Sequence, residues 1–441
     1  MNVALVKPAP EHALRDLFAA ARSRLPGSGP VAEWREASFA DFSARGLPHR
    51  RVEEWKYTDL RAQLGELAPL APAPDAAALA KAKAALDVLD VAGATQFVLV
   101  DGVFVPQLSD TGGLESGVTV RRLGELLDDA GNAARADLLR TDATDDVMVA
   151  FNAAMATDGV VLDVADGARP ATPLHVVHVS TQAGASAVTR SLLRLGRGAR
   201  ATLVESFVAA EGAHDYQAHD AMVCWIGDDA ELEHVRLVED AHDAVNISSA
   251  IVTLNAKSRL NSFCMTTGAR LSRYQAFVRF LGEDAHASIN GINLLREQQH
   301  GDATLVLDHM VPHCDSREEF RAVVDDRGHS VFQGRINVHP DAQKTDAKMM
   351  TRALLLSDEA EVDNKPELEI FADDVTCGHG ATTGALDDSL LFYLRARGLP
   401  EKEAQAMLIQ AFVGEAIETI ADNGLREAAE NLAERWLKAR S

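Results

Sequence analysis

A small residue, a variable residue and an apolar residue recur along the chain as Ala201-Thr202-Leu203, Ala230-Glu231-Leu232, Ser258-Arg259-Leu260, Ala285-His286-Ala287, Ala303-Thr304-Leu305, Ser330-Val331-Phe332 and Ala360-Glu361-Val362. Successive copies start 29, 28, 27, 18, 27 and 30 residues apart. Turn-forming residues precede most of them, among them Gly227-Asp228-Asp229 and Gly282-Glu283-Asp284. Two-residue alternation follows, as in Leu232-Glu233-His234-Val235-Arg236-Leu237. A near-constant period built of alternating stretches is what a β-solenoid requires, because each coil buries its inward side chains only by stacking on its neighbours. The pattern favours a β-helix over an irregular β-sandwich, and its one defect is the 18-residue interval.

The flanks read differently. Leu14, Leu17, Phe18, Ala21 and Leu25 form an apolar stripe at helical spacing. Residues 66–94 are Ala/Pro-rich, too poor in large side chains for a core, and read as a linker with some helix. Phe97-Val98-Leu99-Val100 and Val103-Phe104-Val105 flank Asp101-Gly102, a dipeptide suited to a type I′ hairpin turn. Residues 117–158 return to helix-like Leu/Ala/Asp sequence. After Asp387, leucines at helical spacing precede Arg397-Gly398-Leu399-Pro400, where one helix ends and another begins, and helical spacing continues to the end. The expected organisation is a helical domain with linker over 1–94, a β-helix core over 95–386 with a helical insertion near 117–158, and a helical domain over 387–441. The last is too small to hold a large core alone, so its stripes should pack on the β-domain or on a partner.

Composition narrows the function. The chain has 441 residues with 43 Lys+Arg against 66 Asp+Glu, a net charge of −23, and so lacks the basic footprint that nucleic acid or anionic lipid demands. No apolar run reaches the length of a membrane span, and Met1 to Pro10 carry no signal-peptide pattern, which leads to the expectation of a cytoplasmic protein. Cys224, Cys264, Cys314 and Cys377 lie far apart with no Cys-x-x-Cys, so neither a disulfide framework nor a zinc ribbon is indicated. No Gly-Lys dipeptide occurs, so the phosphate-binding loop of the common NTPases is absent and no nucleotide is expected on this chain.

Cys377-Gly378-His379 is the most specific chemical feature, because residues i and i+2 of an extended strand face the same side. Thiol and imidazole placed together could ligate iron or zinc, or hold a thiolate of lowered pKa. Two ligands cannot close a tetrahedral site, so the others would come from elsewhere, another subunit included; the alternative is a buried Cys beside a loop His. Gly378 to Gly384 has the spacing G-x-G-x-x-x-G, not that of a dinucleotide fingerprint, and reads as a turn. His309 and His313 lie four apart, but Pro312 disfavours a helix between them, leaving only His313-Cys314-Asp315 as a weak metal option. Asp325-Asp326 and Asp373-Asp374 read as solvated turns.

Several longer stretches are more telling still. They are Ala342-Gln343-Lys344-Thr345-Asp346-Ala347, Leu354-Leu355-Leu356-Ser357, Lys365-Pro366-Glu367-Leu368-Glu369-Ile370 and Ala372-Asp373-Asp374-Val375-Thr376-Cys377-Gly378-His379-Gly380-Ala381-Thr382. Leu391-Phe392-Tyr393-Leu394-Arg395-Ala396-Arg397-Gly398 and the early Glu54-Trp55-Lys56-Tyr57-Thr58 extend the series. In these stretches the chain resembles the SufB/SufD family, the scaffold proteins of the SUF iron–sulfur cluster assembly machinery, and is closer to the SufD branch than to the SufB branch. Gly378 and Phe371 depart from the family pattern without changing a ligand type.

The resemblance implies a right-handed parallel β-helix between two helical domains, pairing with a SufB-like paralogue, and one SufC-like ATPase carried by each of the two. His379 takes the place of a histidine that in the family lies at the SufB interface and is implicated in nascent cluster formation, and Cys377 is its motif neighbour. The implied protein is a scaffold and not an enzyme, sharing a transient iron–sulfur cluster with SufB. The carboxy-terminal helices are the expected ATPase docking site, and deletion of 387–441 is expected to leave the β-domain folded. The isolated chain has solenoid ends that a second copy could cover. A β-helical polysaccharide-active enzyme is the competing reading, disfavoured by the low aromatic content of 5%; a metal-binding β-protein without partners is the third.

Overall fold

The computed structural model of the protein describes residues 11–91, 93–129, 138–140 and 142–440. Helices α1 (Glu11–Ala21), α2 (Pro30–Arg45), α3 (Leu60–Leu64) and α4 (Ala76–Leu86) lead into β1 (Thr95–Val100) and β2 (Val103–Phe104). The hairpin expected there is present: Val100 faces Val103 in an antiparallel pair, and Asp101 and Gly102 take φ of 49° and 81°, the two positive values a type I′ turn needs. The Ala/Pro-rich stretch contains α4, capped by Asp75, and its Ala82 is fully buried against Val98, Val177 and Val179. Next come β3 (Val118–Arg122), α5 (Leu123–Asp128), α6 (Val147–Met155) and β4 (Val160–Val164), so the segment read as helical also holds strand β3. Residues 130–137 and 141 of that segment lie outside the described residues.

The coils follow as β5 (Leu174–Ser180), β6 (Ser186–Leu195), β7 (Arg200–Ala209), β8 (Gln217–Ile226), β9 (Glu231–Glu239), β10 (Val245–Leu254), β11 (Arg259–Thr266) and β12 (Leu271–Phe280). They continue as β13 (His286–Leu295), β14 (His300–His309), β15 (Asp315–Val324), β16 (His329–Val338), β17 (Asp346–Leu355), β18 (Glu361–Ile370) and β19 (Thr376–Gly384). From β4 onward, odd-numbered strands pair in parallel with odd and even with even, forming the two walls of a β-solenoid of about eight turns. The β-helix expectation is met. Its defect has a structural cause: Ala285 precedes a strand of the odd wall and Ala303 lies on β14 of the even wall, so the 18-residue interval steps from one wall to the other within a coil.

Alternation sorts the side chains. Leu203, Met222, Leu232, Ala250, Leu260, Ala276, Ala287, Leu305 and Phe332 point inward into one continuous core. Outward residues of the odd wall, among them Val235, Phe263, Ile292 and Val323, are buried by α8 (Glu401–Ile417) and α9 (Asn423–Ala439) through Ile409, Val413, Leu425, Leu432 and Trp436. The terminal helices thus pack on the β-domain. Their removal would strip a large apolar face, so deletion of 387–441 is expected to destabilise the β-domain, which weighs against the expectation that it stays folded. Phe42 of α2, Trp55 and Leu60 of the amino-terminal segment, with Phe151 of α6, cover the even wall against Val188, Ile247 and Leu271.

The Glu54-to-Thr58 motif is the strap on that wall. Trp55 is 1% exposed and lies over the guanidinium of Arg273, 3.9 Å from its ring centroid, while its Nε1 donates to Asp146 at 2.9 Å. Arg273 pairs with Asp302, both side chains being 0% exposed, and donates to the Glu54 carbonyl at 2.7 Å. Thr58 donates to Asp302 and lies 2.9 Å from Nε2 of His300.

Candidate functional site: the open last coil

Strands β18 and β19 are the last of their sheets, and among the described residues nothing pairs with their free edges. The register places Cys377 beside Ala347, His379 beside Met349 and Ala381 beside Thr351. Ala347, Met349 and Thr351 are buried because β19 covers them, whereas His379 and Ala381, one coil later, are exposed. On β18 the inward series Val362, Asn364, Pro366, Leu368 and Ile370 is likewise uncovered, and Ile370 and Phe371 are 41% and 65% exposed. Proline is tolerated on such an edge strand because its missing N–H need not join a ladder. Polar bonds tie the two walls at this coil: Asn364 lies 3.1 Å from Thr351 Oγ1 and donates to Thr383 at 3.4 Å.

The stretch Gly378 to Gly384 is therefore strand and not the turn that its glycines suggest. The extended spacing read from Cys377 and His379 holds, and the two side chains share the inward side. Cys377 is half-buried against the core. Burial, with the negative charges of Asp346 and Glu318, pushes its thiol above the ordinary range, against a backbone hydrogen bond from Ala347. Within this chain, that hydrogen bond alone works toward a lowered thiolate. Neither residue belongs to a group of three close metal-ligating side chains among the described residues.

Comparison with known proteins decides the family. Residues 178–412 match the model of the SUF system FeS cluster assembly, SufBD core domain, and residues 9–176 match that of the SufBD protein N-terminal region. The chain belongs to the SufBD family. It is 33% identical over 397 residues to the iron–sulfur cluster assembly protein SufD of Escherichia coli (strain K12), covering 87% of each chain. A SufBD family protein of Synechocystis is 29% identical, with 85% of this chain and 84% of the relative covered. Protein ABCI7, chloroplastic, of Arabidopsis thaliana is 27% identical, with 91% and 85% covered. No described helix is long and apolar enough to cross a membrane.

The other candidates in this SufBD chain disperse. His309 is buried and stacks on Phe280 at 4.1 Å, with Nε2 3.2 Å from Ser316, while His313 sits in a turn at φ 62°. Cys314 is buried in the core and Asp315 meets His286 instead, so His313, Cys314 and Asp315 do not converge. Asp326 lies in a turn and Asp373 and Asp374 in an exposed bend, as read, but Asp325 is mostly buried beneath Arg440. Burial pushes Cys264 up to about 12 and Cys314 up to about 11. One grouping escaped the sequence altogether: His178, Glu205 and Asp220, which come from three strands and share no local motif.

Proposed function

We propose that this SufBD-family chain is a scaffold subunit of iron–sulfur cluster assembly, pairing with a SufB-like paralogue across the free edges of β18 and β19. The observation that carries this reading is the unfinished last coil, which leaves backbone edges and an apolar lumen mouth uncovered. His379 stands at that mouth with Cys377 beside it, and a neutral imidazole has the lone pair that iron takes. Two ligands do not complete a cluster site, so the paralogue supplies the rest and the transient cluster is shared cargo. In the absence of that paralogue, the same edges would accept a second copy of this chain. A SufC-like ATPase would dock on helix α7 (Asp388–Ala396) and the start of α8, where Leu390, Phe392, Tyr393 and Met407 are 52%, 74%, 53% and 48% exposed. ATP hydrolysis then belongs to that partner, and this chain transmits its movement without a chemical step of its own.

The test is co-expression with the cognate SufB-like and SufC-like proteins. His379→Ala should leave the complex assembled and lower the cluster formed on it, read by the visible absorption of the purified complex. Cys377→Ser should have the smaller effect. Equal cluster yield from wild type and His379→Ala in assembled complexes would refute the ligand role.

A further inference from the structure

Far from the open coil, the lumen turns polar. His178 on β5 follows Leu174 and Val176 on the inward face, Glu205 on β7 lies between Leu203 and Phe207, and Asp220 on β8 precedes Met222 and Cys224. One ligand atom from each of the three falls within 4.8 Å of the other two, and His178 Nε2 is 3.9 Å from Asp220 Oδ1. Glu205 and Asp220 have side chains only 2% and 3% exposed.

Two of these atoms are orphans. Nε2 of His178 and Oε2 of Glu205 are buried without a hydrogen-bond partner, a state that costs free energy unless something unseen occupies the gap. Other atoms of the three residues are held by neighbours. Oε1 of Glu205 is 2.8 Å from Nε2 of His234, whose Nδ1 is 2.9 Å from Ser262. Thr189 donates its hydroxyl to Asp220 at 2.6 Å, which leaves the Thr189 oxygen to accept from Nδ1 of His178 at 3.5 Å. That contact favours a proton on Nδ1 and a bare lone pair on Nε2. The ring is fixed by stacking on Phe207 at 4.2 Å.

The charges agree. Burial keeps His178 neutral, its pKa held down to about 4. Burial and the neighbouring Glu205 raise Asp220, against the Thr189 hydroxyl and the charge of Arg236. Burial also works to raise Glu205, but the hydrogen bond and charge of His234, with the charge of Arg236, overcome it and keep the carboxylate ionised. Arg236 supplies this charge while its Nη2 is bonded to Asn246 and Ser248 and its guanidinium lies 4.1 Å from the Phe207 ring centroid.

We infer that this part of the lumen is a divalent-cation site, in which His178 Nε2, Glu205 and Asp220 present one imidazole and two carboxylates to a first-row ion of the zinc or iron(II) type. Enclosed by the coils, the ion is structural and cross-links the first turns of the solenoid. Seven strand spacings, roughly 34 Å, separate β5 from β19, so the site is independent of the cluster reading.

The full chain carrying Cys377→Ser and His379→Ala lacks the candidate ligands of the open coil and serves as the parent for the test. Grown with cobalt(II) as the probe and purified through EDTA, it should retain close to one cobalt per chain. Glu205→Gln and Asp220→Asn in that background should each lower retained cobalt by about tenfold or more while the far-ultraviolet circular dichroism stays native. A folded, cobalt-free parent overturns the proposal, and so does full retention in a folded Asp220→Asn protein. Should both variants fail to fold, cobalt K-edge absorption of the parent decides: one imidazole among oxygen ligands supports the site, and a sulfur ligand overturns it.

Discussion

Replacing Asp302 by Asn keeps its shape and an oxygen for Thr58 but removes the charge facing Arg273. Both side chains of the pair are 0% exposed, so the guanidinium cannot regain water without lifting Trp55 and the Glu54 carbonyl off the sheet. Breaking one partner of a buried pair costs about 3–5 kcal/mol, most of it the penalty on the charge left behind. Because Arg273 is roofed by the strap, the loss should appear first as opening of residues 53–58. Hydrogen exchange of that segment and urea unfolding measure it. The double variant Arg273→Met, Asp302→Leu removes both charges from an apolar setting and should recover most of the loss. An Asp302→Asn protein within about 0.5 kcal/mol of wild type would refute the reasoning, as would a double variant no more stable than the single one.

Burial holds His175 and His309 down to about 3, and His178, His219 and His300 down to about 4. Unfolded imidazoles take a proton near 6.5, so stability is full above that pH and is lost as pH falls toward the folded values, about 2 kcal/mol per histidine at pH 5. Together these losses rival the whole stability of a typical domain, and circular dichroism should show acid unfolding near pH 5; a native spectrum at pH 4 would refute this. Glu318, pushed up to about 8 by burial against the opposing Ser316 hydroxyl and Arg317 charge, carries the reverse sign, since stability is lost as pH rises from the ordinary carboxyl range to 8. Glu318→Gln should therefore stabilise the protein, with the gain roughly doubling between pH 6 and pH 8, and a pH-independent effect would count against it. On α7, Leu390→Asp and Phe392→Asp should abolish binding of the cognate ATPase in co-purification without lowering the thermal midpoint, because both side chains are already exposed; retained binding would move the docking surface elsewhere.

The period of the solenoid was legible because stacking forces small and apolar residues to recur at each coil. Ala230, Ser258 and Ala285 do occupy equivalent positions, as the pairing of Arg259 with both Glu231 and His286 shows. Other copies, such as Ala201 and Ala230, are two residues out of register, a shift that keeps the same face inward and so leaves the period intact. Less legible was anything decided by coverage. Alternation says that Glu205 and Asp220 point inward, but not that residues from three strands converge, since the coil-to-coil register is set by loops of varying length. Glycines misled at 378–384 for a related reason: they suggest a turn locally, yet the ladder with β17 holds them extended.

The same distinction bears on the proposal that the last coil is an interface. Glu361, Asp363, Lys365, Glu367 and Glu369 alternate with inward Val362, Asn364, Pro366, Leu368 and Ile370, as in any coil of this solenoid. Nothing in that pattern reveals that no further coil follows. Edge strands are normally blunted against indiscriminate pairing, and here the outward charges and Pro366 do part of that work. They leave His379, Ala381 and Ile370 uncovered on the lumen side, where the preceding coil buries its counterparts Met349, Thr351 and Val338. A solenoid that ended in solution would be expected to cap this mouth with polar residues or a helix. A partner that adds the next coil would remove the need for a cap, and would have to match both free edges at once, which admits a like-folded solenoid and rejects an isolated strand.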